Sequence, residues 1–218
     1  IANANTLIKS KENNIFITEN KDSYLTNLAS QLKAEIFEHK NYVGGRYSVL
    51  SEVGMLPAEL MNLNENKFKQ FNSLIKNKAF VNNLINNVSA TLNLIKNGKY
   101  TSIILNYDDR SEHLFKWYQQ LIAESLGKKS KGILPIVSSM PKDNHSLMQL
   151  YLDGPKKSFY TFFNTLDNRV IKINKNNLLS SQRYLRNQSI EKIKQSQMLA
   201  TEKVFKSKKI PFRSFRVL

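Results

Sequence analysis

Four short segments carry side chains able to move protons or hold negative charge. In the first, running from Trp117 to Lys128, Glu124 lies among Leu121, Ile122, Ala123 and Leu126, close to a glycine stop at Gly127. A carboxylate in apolar surroundings near a helix end suits proton transfer as a general base. Gln120 sits one helical turn earlier and shares that face. Taken alone, a helical Glu is more often simply solvated. The second segment is Gly44-Gly45-Arg46-Tyr47-Ser48, where paired glycines after a strand let the backbone turn tightly and let a ligand approach it. Arg46, at a helix start behind them, can hold a developing oxyanion or a phosphate. The tripeptide is common, and a plain strand-to-helix turn with a surface arginine is its ordinary outcome. The third segment runs from Asp143-Asn144-His145-Ser146 to Leu152-Asp153-Gly154-Pro155. His145 follows a polar, helix-capping stretch, where an imidazole is accessible and exchanges protons near neutral pH. His39, at a strand end, and His113, within a helix, read as structural or surface residues. In the fourth, Lys203 lies between Ala200 and Val204 on a long final helix, from which an amine can reach an anionic oxygen. Among so many lysines, a solvated one is the default.

The apolar runs tell what positions these groups. Residues 13–19 and 35–38 read as two short strands. Asp22 is placed to cap the helix between them, with Leu25, Leu28, Ala29 and Leu32 on its apolar face. Three helices follow, over 46–62, 65–78 and 81–97, the last ending at Gly98. A strand over 101–107 leads through Asp108-Asp109 into a helix over 110–126. Further strands are expected at 133–137, 158–164 and 169–173, with a helical stretch between the first two. A long amphipathic helix spans 182–208, and a last strand follows Pro211. Strands alternating with helices of these lengths predict an α/β fold, with a mainly parallel sheet covered by helices on both faces and a long C-terminal helix. There is no internal repeat and no long Pro/Gly/Ser linker. The best domain boundary lies near residues 39–42, ahead of the glycine pair.

Composition narrows the partners. The chain has 218 residues, 41% of them hydrophobic and 10% aromatic, which is enough to fill a sizeable core. Its 33 Lys and Arg against 17 Asp and Glu give a net charge of +16, which fits an anionic partner: nucleic acid, a membrane surface or a small phosphorylated substrate. Lysines beside asparagines, as in Lys76-Asn77-Lys78, also fit a base-composition bias of the source genome. The absence of cysteine rules out disulfides, a catalytic thiol and Cys-based zinc sites, and is compatible with a cytosolic protein. No apolar run approaches the roughly 18–20 residues of a membrane span, and no secretory signal opens the chain. It starts at Ile1 within what reads as a helix (Ile1, Asn5, Ile8), so the natural N-terminus is expected upstream.

Read together and in order, the segments resemble the glucose-6-phosphate isomerase family. Its glycine-glycine-arginine signature is similar to Val43-Gly44-Gly45-Arg46-Tyr47-Ser48-Val49-Leu50-Ser51, with Val53-Gly54-Met55-Leu56-Pro57 downstream. Its base-bearing signature resembles Tyr118-Gln119-Gln120 through Glu124-Ser125-Leu126-Gly127-Lys128, and its histidine segment resembles His145-Ser146-Leu147-Met148-Gln149-Leu150 with Leu152-Asp153-Gly154-Pro155. The likeness runs from about residue 13 to 164, and more weakly to the last helix. It implies sugar-isomerase (SIS) domains: three-layer αβα sandwiches with a flavodoxin-like parallel sheet. Residues 1–40 would end a first such domain, 41–180 would form a second, and 181–218 would supply the C-terminal helix and terminal strand.

The same resemblance implies reversible isomerisation of glucose 6-phosphate and fructose 6-phosphate through a cis-enediolate, in glycolysis and gluconeogenesis, in the cytoplasm, without a metal or other cofactor. His145 would open the sugar ring with Lys203 assisting, and Glu124 would carry the proton between C2 and C1. Arg46 would stabilise the enediolate, and Gln120, Gly45 and Arg46 would contact substrate. The family's histidine reaches the site from the partner subunit, so a homodimer is implied. Two departures stand out. The serine/threonine-rich phosphate loop would lie upstream of Ile1, so the N-terminal phosphate-binding part is missing from this chain, and Asn144 stands where many relatives have glutamine.

Rival functions would leave different marks. A non-catalytic sugar-phosphate-binding regulator on the same fold would have lost the base or the histidine, whereas Arg46, Glu124 and His145 are all present. An isomerase that also accepts mannose 6-phosphate is a related possibility. A nucleic-acid binder would gather its basic residues on one face beside exposed aromatics. Here lysines are spread along the chain and aromatics such as Phe159, Phe162 and Phe163 fall in a strand. Neither nucleic acid nor membrane is therefore expected as a partner.

Overall fold

Strand β1 (Ile15–Thr18) pairs in parallel with β2 (Glu35–Glu38), Ile15 opposite Glu35 and Thr18 opposite Glu38. Helix α1 (Tyr24–Leu32) joins them and starts on Ser23, not on Asp22. The Ser23 hydroxyl accepts from the Thr26 amide at 3.3 Å, and the Thr26 hydroxyl accepts from the Ser23 amide at 3.0 Å. This reciprocal box satisfies two amides at once, and Asp22 instead accepts from the Asn27 side chain at 3.1 Å. The computed structural model describes residues 14–166, 171–173 and 178–217, so the helix expected around Ile1–Ile8 lies outside the described residues. Contacts divide the chain into two units, Ile1–Leu84 and Ile85–Leu218.

The helix expected over 46–62 is two pieces, a 3-10 helix (Gly45–Leu50) and α2 (Glu52–Leu60). Serine hydroxyls explain the break. Ser48 donates to the Gly45 carbonyl at 2.7 Å and Ser51 to the Ser48 carbonyl at 2.8 Å, competing with an unbroken α ladder. At Gly54 an added Cβ would lie 2.0 Å from the Val49 carbonyl oxygen, so no side chain fits where α2 crosses the 3-10 turn. The stretch 65–78 likewise divides into α3 (Glu65–Lys69), capped by Asn64, and α4 (Phe71–Lys76). Helix α5 (Lys78–Lys96) follows, and the division between units falls within it.

In the second unit β3 (Thr101–Asn106) leads to α6 (Glu112–Leu126) and β4 (Leu134–Ser139). Short helices α7 (Asp143–Ser146) and α8 (Met148–Asp153) precede β5 (Ser158–Thr165), and α9 (Ile190–Ser207) precedes β6 (Phe212–Val217). All neighbours are parallel, in the order β4-β3-β5-β6, with Ile103 opposite Tyr160 and Leu105 opposite Phe162. Central β3 is buried from Ser102 to Asn106, as a strand covered on both faces must be. On one face Ile103, Leu105, Tyr160 and Phe162 pack with Tyr151 of α8 and Met198 and Phe205 of α9. The Phe205 ring meets Tyr160 edge-on at 4.9 Å and Phe162 at 5.3 Å. On the other face Phe115 of α6 meets Phe163 at 4.8 Å, while Arg213 of β6 binds Thr161 at 3.0 Å and Asn87 of α5 at 2.7 Å. Helix, sheet, helix: the expected α/β layering is present in this unit.

Two expectations near the C-terminus need correcting. The long helix starts at Ile190, not 182: a 3-10 turn (Ser180–Leu185) precedes it, Asn187 adopts a left-handed φ of 62°, and the Ser189 hydroxyl caps the Lys192 amide at 3.1 Å. Asn tolerates that conformation, which breaks the α path. Of the strand expected at 169–173, the first two residues lie outside the described residues. Lys172 makes a single antiparallel bridge to Ser189. No helix among the described residues is long and apolar enough to cross a membrane.

Candidate active site

A short loop over residues 39–43 leads from β2 to the glycine-arginine turn. Gly44 (φ −66°, ψ 150°) precedes the 3-10 helix, and positive φ among the described glycines is confined to Gly98 and Gly132. The turn therefore does not need glycine for its dihedrals, contrary to the tight-turn expectation. An added Cβ at Gly45 would meet nothing within 4 Å, so its backbone stands open to an approaching ligand. The Arg46 guanidinium lies 4.7 Å from the centre of the Tyr47 ring, a cation–π stack that fixes the side chain's course. A cleft of about 390 Å³ opens nearby at the ends of β1 and β2, lined by Thr18, Glu19, Lys21, Ser23 and His39 among others.

His39 holds this turn in place. Its Nδ1 pairs with the Glu52 carboxylate and its Nε2 donates to the Val43 carbonyl at 2.9 Å. Since a carbonyl only accepts, and the carboxylate faces the other nitrogen, the charged ring, with a proton on each nitrogen, is the form that satisfies both partners. The Glu52 hydrogen bond, aided by Val43, raises His39 above its ordinary 6.5 against the opposing effect of burial. Glu52 is lowered from 4.5 by its own backbone amide and then by His39. The signs fix a pH window. The histidine's contribution to stability is complete below 6.5 and is lost as pH rises through its raised value. The glutamate's is complete above 4.5 and is lost as pH falls through its lowered value. We therefore expect the difference in Tm between wild type and Glu52→Gln to be largest between these two values and to shrink on either side. A difference that does not vary with pH would refute the ion pair.

In the second unit Gln120 and Glu124 come together on α6, the Gln120 amide donating to the carboxylate at 2.9 Å. The apolar surroundings expected for Glu124 are absent: both side chains are exposed, while Phe115, Tyr118, Gln119 and Ile122 face inward. Gly127 caps the helix, and an added Cβ there would lie 2.5 Å from the Ala123 carbonyl oxygen, so no side chain fits. His145 is exposed on α7, and Lys203 is exposed on α9. The structure does not bring Glu124 and His145 together within this unit. Helix α6 runs back from the end of β3, so Glu124 stands toward the strands' N-terminal edge, where Gln119 donates to the Pro135 carbonyl at 3.0 Å. His145 follows the C-terminal edge of β4. A six-residue strand separates the two edges by roughly 20 Å.

Beyond the geometry stands the comparison with known sequences: the family model described as Phosphoglucose isomerase matches residues 14–214. This chain belongs to the phosphoglucose isomerase family. It is 35% identical over 158 residues to the glucose-6-phosphate isomerase of Methanocaldococcus jannaschii, covering 68% of this chain and 38% of that protein. It is 31% identical over 195 residues to the enzyme of the same name from Leptospira biflexa, covering 84% and 43%. The chain thus spans about two fifths of the length of these curated relatives. The crystal structure of a hypothetical protein from Thermus thermophilus aligns with a TM-score of 0.80 at 22% identity, over 93% of this chain and 51% of that one. That of a glucose-6-phosphate isomerase from Chlamydia trachomatis aligns at 0.60 and 16% identity, over 88% and 38%. These structural likenesses establish a shared fold. The phosphoglucose isomerase match includes Gly45, Arg46, Gln120, Glu124, His145 and Lys203. Sequence reasoning missed the His39–Glu52 clamp and the several bonds made by Asp143. For Asp143 the signal was its place two residues before the histidine.

Proposed function

We propose that this chain is the C-terminal, catalytic portion of a glucose-6-phosphate isomerase, interconverting glucose 6-phosphate and fructose 6-phosphate. The observation that carries the reading is the Gln120–Glu124 pair, an exposed carboxylate held at 2.9 Å within the match to phosphoglucose isomerases. Turning an aldose into a ketose moves the C2 hydrogen to C1 and the O2 hydroxyl proton to O1. All electrons stay in the substrate, so the step calls for no redox cofactor. Glu124 takes the C2 proton and returns it to C1 on the same face of the cis-enediolate. Arg46 meets the charge that develops on the enediolate oxygens, a task a metal would otherwise perform. Gln120 steadies the carboxylate and contacts the sugar beside it, and the open backbone at Gly45 admits it. His145, assisted by Lys203, moves a proton between the ring oxygen and the anomeric hydroxyl to open the ring.

The opposite placement of Glu124 and His145 supports a shared site. Each site would take its base from one chain and its histidine from a second copy, which a two-fold homodimer supplies twice over. The reading includes residues 1–40 as the end of a first SIS domain, 41–180 as a second, and 181–218 as the C-terminal helix and strand. Such an enzyme would work in the cytoplasm, in glycolysis and gluconeogenesis. The test is conversion of fructose 6-phosphate to glucose 6-phosphate by the natural gene product and by this chain alone, beside Glu124→Gln. Activity in the natural product that disappears in the variant supports the reading. A folded but inactive natural product would leave a sugar-phosphate-binding regulator as the better account.

A further inference from the structure

We infer that Asp143, braced by Ser138, is a positioning residue for His145; this rests on the isomerase reading above. His145 rides on a helix of only four residues, Asp143–Ser146, set between the end of β4 and α8. A single turn of helix does not hold itself, because the ordering of its residues outweighs so few hydrogen bonds. The Asp143 carboxylate supplies what is lacking. One oxygen, Oδ2, accepts from the Ser138 hydroxyl at 2.8 Å and from the Ser139 amide at 2.8 Å, and Oδ1 accepts from the Ser146 hydroxyl at 3.2 Å. The two shorter bonds run back to the last residues of β4, so the carboxylate ties the histidine's turn to the sheet instead of merely capping its own helix.

The anchor is itself buried and held. Ser138 is fully buried, and its oxygen lies 3.0 Å from the Tyr151 hydroxyl. Ser138 has one proton and gives it to the carboxylate, so Tyr151 is the donor between these two. The Tyr160 hydroxyl in turn donates to the Tyr151 carbonyl at 3.3 Å, and both rings belong to the core beneath the sheet. A relay of donors thus runs from Tyr151 to Ser138 to Asp143, ending on a charged acceptor, the stronger kind of hydrogen bond. The exposed imidazole two residues on is thereby referred to a rigid parallel strand and a packed aromatic cluster. Asn144 and His145 complete the turn through amides donating to Pro141 and Lys142 carbonyls at 3.0 and 3.2 Å.

The experiment measures kcat, KM and the deuterium isotope effect with glucose 6-phosphate labelled at C2, for the natural gene product and its Asp143→Ala, Asp143→Asn and Ser138→Ala variants. Displacing a catalytic group by about 1 Å costs on the order of 10²-fold, so kcat is expected to fall by about 10- to 100-fold for the Asp143 variants and less for Ser138→Ala. KM is expected to stay nearly constant. The isotope effect should fall toward one, because ring opening by His145 becomes slow while C2 proton removal by Glu124 is unchanged. Simple loss of folded protein would lower the rate and leave the isotope effect alone. An unchanged isotope effect in an active enzyme overturns the positioning role and spares the isomerase reading; a folded, inactive wild type overturns both. Should the Asp143 variants not fold, Ser138→Ala, which removes a single hydroxyl, decides by the same criterion.

Discussion

Glu124→Gln is expected to lower kcat for isomerisation by about 10²- to 10⁴-fold, the usual worth of a positioned general base. The substitution is nearly isosteric, and its amide oxygen can still accept from Gln120, which now donates to the carboxylate at 2.9 Å. Binding geometry is thereby preserved while basicity is lost, so KM should change little. Steady-state assay in both directions checks this, together with exchange of the C2 hydrogen with solvent, which should stop in the variant. A drop of less than tenfold, or continued exchange, would exclude Glu124 as the base.

Arg46→Lys should cost about 10²- to 10³-fold in kcat, comparable to removing one well-placed oxyanion donor. Lysine keeps the positive charge but loses the planar fork that can serve two neighbouring oxygens at once. It also loses most of the stacking on Tyr47 that now sets the guanidinium 4.7 Å from the ring centre. The enediolate carries its charge only along the reaction path, so the loss should fall on kcat and not on KM. If instead KM rises and kcat holds, Arg46 binds the ground-state phosphate, and the charge on the intermediate must be met by another group.

Much of the scaffold was legible because parallel strands buried on both faces are written as apolar runs. Thr101–Asn106 and Ser158–Thr165 were found nearly to the residue, along with the helix that carries Glu124. What escaped was local hydrogen bonding. Ser48 and Ser51 divide one apolar stretch into a 3-10 turn and an α-helix, and Asn187 with Ser189 delays the last helix. Apolar periodicity records which face is buried and is blind to hydroxyls that bond their own backbone.

For the candidate site, the sequence offers residue types and their order but not their surroundings. Type and order pick out the motif residues, but the apolar sequence neighbours of Glu124 do not make apolar surroundings, because the helix leaves its side chain exposed. On a helix Ile122 and Ala123, at i−2 and i−1, are turned away from position 124, whereas Gln120, at i−4, stands beside it. Helical phase, not adjacency, held that information. Nothing local announces the distance between Glu124 and His145. It follows from parallel strands, which send the end of a returning helix and the residues after the next strand to opposite edges of the sheet.

That opposition has a genetic reading. On the proposed pairing, an allele lacking Glu124 and an allele lacking His145 each encode an inactive protein. A mixed dimer nevertheless assembles one intact site from the good half of each. Half of a random mixture is hybrid and each hybrid has one working site of two, so about a quarter of wild-type activity returns. Two recessive lesions in the same gene would then rescue one another in a single cell, while either lesion paired with itself would not.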